Sequence, residues 1–388
     1  MKSDEIFNSQ DVKIPIVKAR MMTKKQRPEP LPQILDISPY VPGHAPSPST
    51  GRVFKLASNE NPLGASPAAR RAVEEATSHL EVYPDGNATR LREAIAERYG
   101  LDANRIICGA GSDEIFQMLG KAYLEKGDEI IQSTHGFLVY ELVAQQAGAI
   151  TKSAPEKQLH TDVDAILDCV TEKTKIVFIA NPNNPTGTYI SFEEVRRLHA
   201  GLPSHVILVL DGAYAEYVRA NDYAAGIELV SEFENVVMTR TFSKIYGLAA
   251  LRLGWAYAPA HIIDALHRVR GPFNVSETAQ LAGIAAIQDQ AFLETSLAHN
   301  NEQRERLFAG LEKLGLDPVP SVANFILAKF PEKLGQSAVE AAKFLDTKGV
   351  SVRAMVSYKL PHCLRISVGS ADSVDAVLSG LEEFLAAS

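Results

Sequence analysis

Three short apolar runs, residues 175–180, 206–210 and 236–241, each stop abruptly in polar residues. They deliver Asn181-Pro-Asn183-Asn184-Pro-Thr-Gly187, Asp211-Gly-Ala-Tyr214 and Thr241-Phe-Ser243-Lys244. A short, continuously apolar run marks a strand buried on both faces, and such strands belong to parallel sheets covered by helices. Open α/β sheets bind ligands in the crevice outside the carboxyl ends of their strands. The repetition therefore constrains the chain to an α/β fold with one ligand-binding edge, and the third run carries a lysine to it.

The flanking sequence extends the same rhythm. A run at 105–108 leads through Gly109-Ala-Gly111-Ser112-Asp113-Glu114 into an amphipathic helix, and a run at 129–132 leads into a helix that reaches residue 146. Ser191 caps a crossover helix over 192–198, with Glu193 and Glu194 in its first turn. Upstream, helical patterns at 67–79 and 90–99 bracket the turn Tyr83-Pro-Asp-Gly86. From about residue 276 the pattern changes to a long helical region, 278–314, then strands at 324–329, 350–353 and 363–368, and a final helix over 373–387. The expected architecture is a large domain with a mostly parallel central sheet flanked by helices, plus a smaller α+β domain built from N- and C-terminal segments. Its parts are an extension at 1–30, an arm at 31–62 that contributes to the small domain and a dimer contact, a large domain at 63–277 and a small domain at 278–388.

Composition narrows the partners. With 39 basic and 47 acidic side chains the formal charge is -8, which disfavours broad attraction to nucleic acid or anionic membrane but leaves room for a local basic pocket. Cys108, Cys169 and Cys363 show neither CxxC nor zinc-type spacing and read as thiols in a reducing compartment. No apolar stretch approaches the ~20 residues of a membrane span, and the N-terminus lacks the apolar core of a secretory signal, so the expected address is the cytoplasm. Residues 1–30 mix charge with proline, and Met21-Met22 offers an alternative start. The Pro-rich stretch from Pro39 to Pro48 reads as an extended arm or linker, of the kind that often crosses onto a partner.

A lysine at a buried strand end has a lowered pKa, and near an arginine it presents a neutral amine able to form a Schiff base with an aldehyde. Pyridoxal phosphate is the aldehyde whose needs the other strand ends meet: an anion for its ring nitrogen, donors for its phenolic oxygen, cations and amides for its phosphate, and a flat stacking face. Asp211 suits the ring nitrogen, while Asn183 and Tyr214 suit the phenolic oxygen. The turn at Gly111-Ser112-Asp113, opening a helix, suits the phosphate together with Ser243 and Arg252. Phe137 suits the ring face. Each residue has an ordinary alternative in turn formation, capping or core packing; their complementarity carries the reading.

These motifs, with Leu251-Arg252-Leu-Gly254, resemble the fold-type I aminotransferases, which use pyridoxal phosphate. Asn59-Glu-Asn-Pro62, Tyr83-Pro-Asp-Gly86, Gly111-Ser-Asp-Glu114 and Leu364-Arg-Ile-Ser-Val-Gly369 narrow the resemblance to the histidinol-phosphate aminotransferase branch, across residue 31 to the C-terminus. The resemblance implies that Lys244 anchors the cofactor and acts as acid and base. It pairs Asp211 with the pyridine nitrogen, Asn183 and Tyr214 with the phenolic oxygen, and places Ser112, Asp113, Thr241, Ser243 and Arg252 around the phosphate. Phe137 stands where the family usually stacks tyrosine, keeping the face and losing a hydroxyl. The usual Asp-Glu-Ala-Tyr is Asp211-Gly-Ala-Tyr214 here, and Ala250 replaces a common glycine.

In the small domain the resemblance makes Arg365 the grip for a substrate α-carboxylate, a bidentate task for which lysine is a poor substitute. Arg353 and Tyr40 would help bind a phosphate-bearing side chain, with Asn183 also contacting substrate. Tyr83 would reach the cofactor phosphate of a neighbouring subunit, which implies a homodimer with shared active sites. The expected reaction is amino transfer from L-histidinol phosphate to 2-oxoglutarate in histidine biosynthesis. An aromatic amino acid aminotransferase of the same branch, an amino acid phosphate decarboxylase on the same fold, and a ligand-sensing module of a transcription regulator are the alternatives.

Overall fold

The computed structural model describes residues 28–38, 51–333 and 335–387. Among the described residues, seven strands form the main sheet: β1 (Ile106–Gly109), β2 (Glu129–Ser133), β3 (Ile150–Ala154), β4 (Thr174–Ala180), β5 (Ile207–Asp211), β6 (Val236–Thr241) and β7 (Gly254–Tyr257). Their spatial order is β1-β7-β6-β5-β4-β2-β3, with only β7 antiparallel to its neighbours. Alternate side chains of the three opening runs enter two apolar cores, one on each face. Val177, Leu208, Leu210 and Met238 join one, and Ile176, Phe178, Val209 and Val237 the other. This two-sided burial is why the runs show no polar alternation.

The register aligns the strand ends. Ala180 pairs with Asp211, which pairs with Thr239, and Thr241 pairs with Gly254, itself opposite Gly109. Strand β7 was not anticipated from the sequence. Because it runs backwards between β1 and β6, its N-terminal end lies at the carboxyl edge of the parallel strands, and the residue two before it, Arg252, arrives there too.

A second, four-stranded antiparallel sheet contains β8 (Asp317–Pro318), β9 (Phe325–Lys329), β10 (Arg353–Met355) and β11 (Leu360–Ser367), in the order β8-β9-β11-β10. Helices Gln290–Lys313, Ala338–Thr347 and Ala371–Ala386 cover it around a separate apolar core. The single helical region expected over 278–314 is two helices, Glu277–Gln288 and Gln290–Lys313, divided at Asp289, whose side chain accepts from Phe292 N as an N-cap. The first of them packs on helices Pro67–Ala76 and Thr89–Tyr99, against the main sheet's core. Ser191 caps Phe192–Gly201 by accepting from Glu194 N.

The short strand Phe54–Lys55 pairs in parallel with Val350–Ser351, and Ser367 N donates to Leu56 O at 2.9 Å. At Ser66 the chain caps a helix packed on the main sheet. Residues 57–65 therefore cross from the small sheet to the large one, over the edge where the strands end.

Candidate active site

One cavity lies at that edge. Ser112, Asp113, Phe137, Asp211, Tyr214, Thr241, Ser243, Lys244 and Arg252 line it, all singled out from the sequence, with Ser58, Glu60, Pro182, Asn184 and Ala249 completing much of the wall. Strands β4, β5 and β6 supply its floor through adjacent, registered ends.

Lys244 enters from the loop after β6. Its Nζ donates to Ser58 O at 3.2 Å and lies 5.8 Å from the centre of the Tyr214 ring. Burial, reinforced by the Arg365 guanidinium, lowers the amine to about 8. A substantial neutral fraction is thus available near neutral pH, as a nucleophilic amine requires.

Asp211 closes the floor. Tyr140 Oη donates to its Oδ2 at 2.6 Å, Ala213 N to its Oδ1 at 3.1 Å and Thr239 Oγ1 to the same oxygen at 3.3 Å. Burial still pushes the carboxyl up to about 6, because these neutral donors do not replace the lost hydration. A cationic group against Asp211 would remove that penalty, and a protonated pyridine is such a group. Tyr214 Oη accepts from Asn59 Nδ2 at 2.9 Å, and burial pushes its phenol up, so it stays a proton donor.

At the other end of the cavity, the helix Ser112–Tyr123 begins after Gly111 without a side-chain cap, leaving its first amides to an external acceptor. Gly111 has φ +81°, and a Cβ there would overlap the Arg252 guanidinium. Arg252 Nη1 donates to Ser243 Oγ at 3.3 Å and Nη2 to Asp113 Oδ2 at 3.2 Å. The first amides of this helix, the Ser243 hydroxyl and the Arg252 guanidinium thus meet at one end of the cavity, as a phosphate needs. The Asp113 carboxylate pairs with the arginine, so it is this residue's place in the first helical turn that suits an anion. Phe137 offers a ring to the cavity, held edge-on against Tyr140 at 5.7 Å. A carboxylate, phenol, amine, ring face and anion cup in one crevice fit pyridoxal phosphate.

Asn183 sits differently from the sequence expectation. Its Nδ2 donates to His135 O at 3.3 Å and Thr186 Oγ1 at 3.1 Å, so the side chain folds inward to brace its own turn. The neighbouring Asn184 faces the cavity, and its Oδ1 accepts from Arg365 Nη1 at 2.6 Å. Two adjacent asparagines in a turn have the same local chemistry, and only the folded loop separates them. Arg365 Nη2 donates to Ala57 O at 2.6 Å, and the guanidinium lies over Phe325. Arg353 is the direct cross-strand partner of Arg365, bringing two guanidinium-bearing residues to one place on the small sheet. Tyr83 is outside the cavity, 78 % exposed and stacked on Phe273 at 4.7 Å. Tyr40 and the Pro-rich stretch from Pro39 to Pro48 lie outside the described residues.

Sequence reasoning gave no role to Tyr140, Thr239, Ser58 or Glu60, and it quoted Asn59 only as part of a motif. Tyr140 had a detectable signal, a polar tip within an otherwise apolar helix start. The three cysteines are free thiols, with Cys108 and Cys363 buried. Among the described residues, no helix is long and apolar enough to cross a membrane.

Comparison with known proteins agrees with this geometry. The model of the family "Aminotransferase class I and II" matches residues 51–381. Histidinol-phosphate aminotransferases of Rhodopseudomonas palustris (strain HaA2) and Nitrobacter winogradskyi are 56% and 54% identical over 361 residues, in each case 93% of this chain and 99% of the relative. The crystal structure of histidinol-phosphate aminotransferase from Sinorhizobium meliloti in complex with pyridoxal-5'-phosphate superposes with a TM-score of 0.85 at 26% identity, covering 94% of this chain and 100% of that one. Strand order, cavity and relatives lead to one assignment: this chain belongs to the class I and II aminotransferases and, within them, to the histidinol-phosphate aminotransferase family.

Proposed function

We propose that the enzyme transfers the amino group of L-histidinol phosphate to 2-oxoglutarate, giving imidazole-acetol phosphate and L-glutamate, with pyridoxal phosphate as cofactor. The observation that carries this reading is the half-buried Lys244 amine lining one cavity with Asp211, Tyr214 and the phosphate cup. Pyridoxal phosphate, when bound, supplies an aldehyde that joins an amine and a pyridinium that withdraws electrons from the carbon bearing that amine. Asp211 holds the proton on the ring nitrogen. Tyr214 donates to the phenolic oxygen, with Asn184 rather than Asn183 as the amide beside it. Ser112 and Asp113 amides, Thr241, Ser243 and Arg252 hold the phosphate, and Phe137 covers one ring face. Lys244 Nζ would take the proton from the substrate α-carbon and give it up at the cofactor carbon that carried the aldehyde, with the reverse passage in the second half-reaction.

Arg365 and Arg353 support the dual substrate. 2-Oxoglutarate and L-glutamate carry two carboxylates, whereas L-histidinol phosphate carries a phosphate and no carboxylate. Paired, adjacent arginines suit both kinds of anion. Tyr40, outside the described residues, keeps only the substrate-binding role that the sequence resemblance implies.

A homodimer with shared active sites is part of the proposal. Leu80, Val82, Tyr83 and Phe273 are exposed near one another along a surface groove, an apolar patch that a second copy would cover, bringing Tyr83 to the partner's phosphate cup. The large and small domains divide as the two sheets do, and the cytoplasm is the assigned location.

The test is a substrate panel on the loaded enzyme. A kcat/KM for L-histidinol phosphate well above that for L-phenylalanine supports the assignment, and the reverse order assigns an aromatic aminotransferase. Light scattering that gives a fully active monomer removes the shared site.

A further inference from the structure

Three consecutive residues of the crossing segment each hold a working group from a different element. Ala57 O accepts from Arg365 Nη2, Ser58 O accepts from Lys244 Nζ, and Asn59 Nδ2 donates to Tyr214 Oη. Asn59 has a left-handed backbone, φ 57°, and is 1 % exposed. Asparagine is among the few non-glycine residues that tolerate this conformation, and a buried amide must find partners for both ends. Its partners are specific. Ser367 Oγ donates to Asn59 Oδ1 at 2.9 Å and accepts from Asn59 N at 2.8 Å, while Asn324 Nδ2 donates to Asn59 O at 2.9 Å.

The Ser367 contact matches one orientation of the amide: Oδ1 accepts from the serine hydroxyl, and Nδ2 faces Tyr214. A donor on Tyr214 Oη occupies a phenol lone pair and leaves the phenol's own hydrogen to point into the cavity. It also makes that hydrogen more acidic, hence a stronger donor. Ser367 lies two residues beyond Arg365 on β11, so the same strand carries the substrate grip and the residue that orients Asn59.

We propose that Asn59 is a positioning residue that aims and strengthens the Tyr214 phenol as a donor to the cofactor, and that Ser367 sets its orientation from the strand bearing Arg365. The proposal rests on the pyridoxal phosphate reading above.

The test compares the absorbance titration of the loaded enzyme for wild type, Tyr214→Phe, Asn59→Gly, Ser367→Ala and the Tyr214→Phe/Asn59→Gly double variant. Glycine keeps the left-handed backbone without strain and deletes only the amide, and Ser367→Ala provides a milder second probe. Losing a donor to the phenolic oxygen leaves its negative charge less stabilised, so the neighbouring proton is held more tightly and the midpoint rises. Tyr214→Phe should raise the midpoint, Asn59→Gly should raise it by about half to one pH unit, and Ser367→Ala by less. Asn59→Gly should add nothing once Tyr214 is phenylalanine. If Asn59→Gly lowers the melting temperature of the unloaded protein but leaves the midpoint in place, or shifts it equally in both backgrounds, Asn59 is only structural and the proposal falls. Should Asn59→Gly not fold, Ser367→Ala decides by the same criterion. If Tyr214→Phe itself leaves the midpoint unmoved, the role of Tyr214 falls and the proposal falls with it.

Discussion

Tyr140 Oη donates to Asp211 Oδ2 at 2.6 Å beneath the cavity floor, and it aims a carboxylate that burial alone would prefer to neutralise. The pairing makes Asp211 a group whose value to the protein depends on what the cavity contains. In the unloaded fold its pKa rises from 3.8 to about 6. A raised folded value means that stability is fully present below the unfolded pKa and is lost as pH rises through about 6. At pH 7.5 the ionised group therefore costs the unloaded protein on the order of 3 kcal/mol. Asp211→Asn is expected to raise the melting temperature of the unloaded protein at pH 7.5, with little change near pH 4, and to weaken pyridoxal phosphate binding by roughly 10- to 100-fold. Melting curves with and without cofactor measure both effects.

Lys244 shows the opposite linkage. Burial and Arg365 bring its amine down to about 8 from 10.5, so capture of pyridoxal phosphate by the unloaded protein should accelerate with pH through a midpoint near 8 and then level off. Replacing Arg365 with Gln removes a repelling charge and should move that midpoint upward. Stopped-flow absorbance gives the profile, and a rate independent of pH between 6.5 and 9 (roughly one and a half units below to one above the midpoint) would count against a titrating amine as nucleophile.

A buried ion pair stands behind the site. Arg240 Nη1 and Glu216 Oε1 are 2.9 Å apart with both side chains under 10 % exposed, joining the loop after Tyr214 to the strand that leads to Lys244. Removing one partner strands a buried charge and should cost about 3–5 kcal/mol, while replacing both with apolar residues should cost much less. Denaturant unfolding of Glu216→Gln, Arg240→Met and their combination tests this, and additive losses would show that the charges are not acting as a pair.

Gly254 begins β7 directly against the phosphate cup. A Cβ there would lie 2.6 Å from Gly111 C and overlap Ser112 N, both backbone atoms that cannot move independently of the cup. Gly254→Ala should weaken cofactor binding roughly tenfold or more by displacing those amides. Gly271→Ala, where nothing lies within 4 Å of the new atom, should leave binding unchanged. Cofactor titration followed by absorbance distinguishes them.

The parts of this protein that were legible in its sequence are those in which one residue's local pattern decides its place. Residues 236–241 are legible as a strand because apolar Val236-Val-Met238 opens a β-branched stretch suited to burial, and Lys244 follows from where that strand ends. Strand β7 was missed because Gly-Trp-Ala-Tyr has no alternation and its pairing partners, Thr241 and Gly109, are distant in sequence. The choice between Asn183 and Asn184 was equally hidden. Both suit the turn, and the distinction comes from His135 and Thr186 taking one amide while Arg365, far along the chain, takes the other. Tyr140 has no role legible in the sequence because its partner Asp211 lies 71 residues on, at the end of β5. Contacts between distant segments, rather than residue types, decided these positions.

The most direct test of the account is a single-turnover reaction of the pyridoxal phosphate-loaded enzyme with L-histidinol phosphate in the absence of any keto acid. The account predicts one imidazole-acetol phosphate per active site, no further product until 2-oxoglutarate is added, then L-glutamate in equal amount, and none of this in Lys244→Ala. Continuous product formation without 2-oxoglutarate, or undiminished turnover by Lys244→Ala, would contradict it.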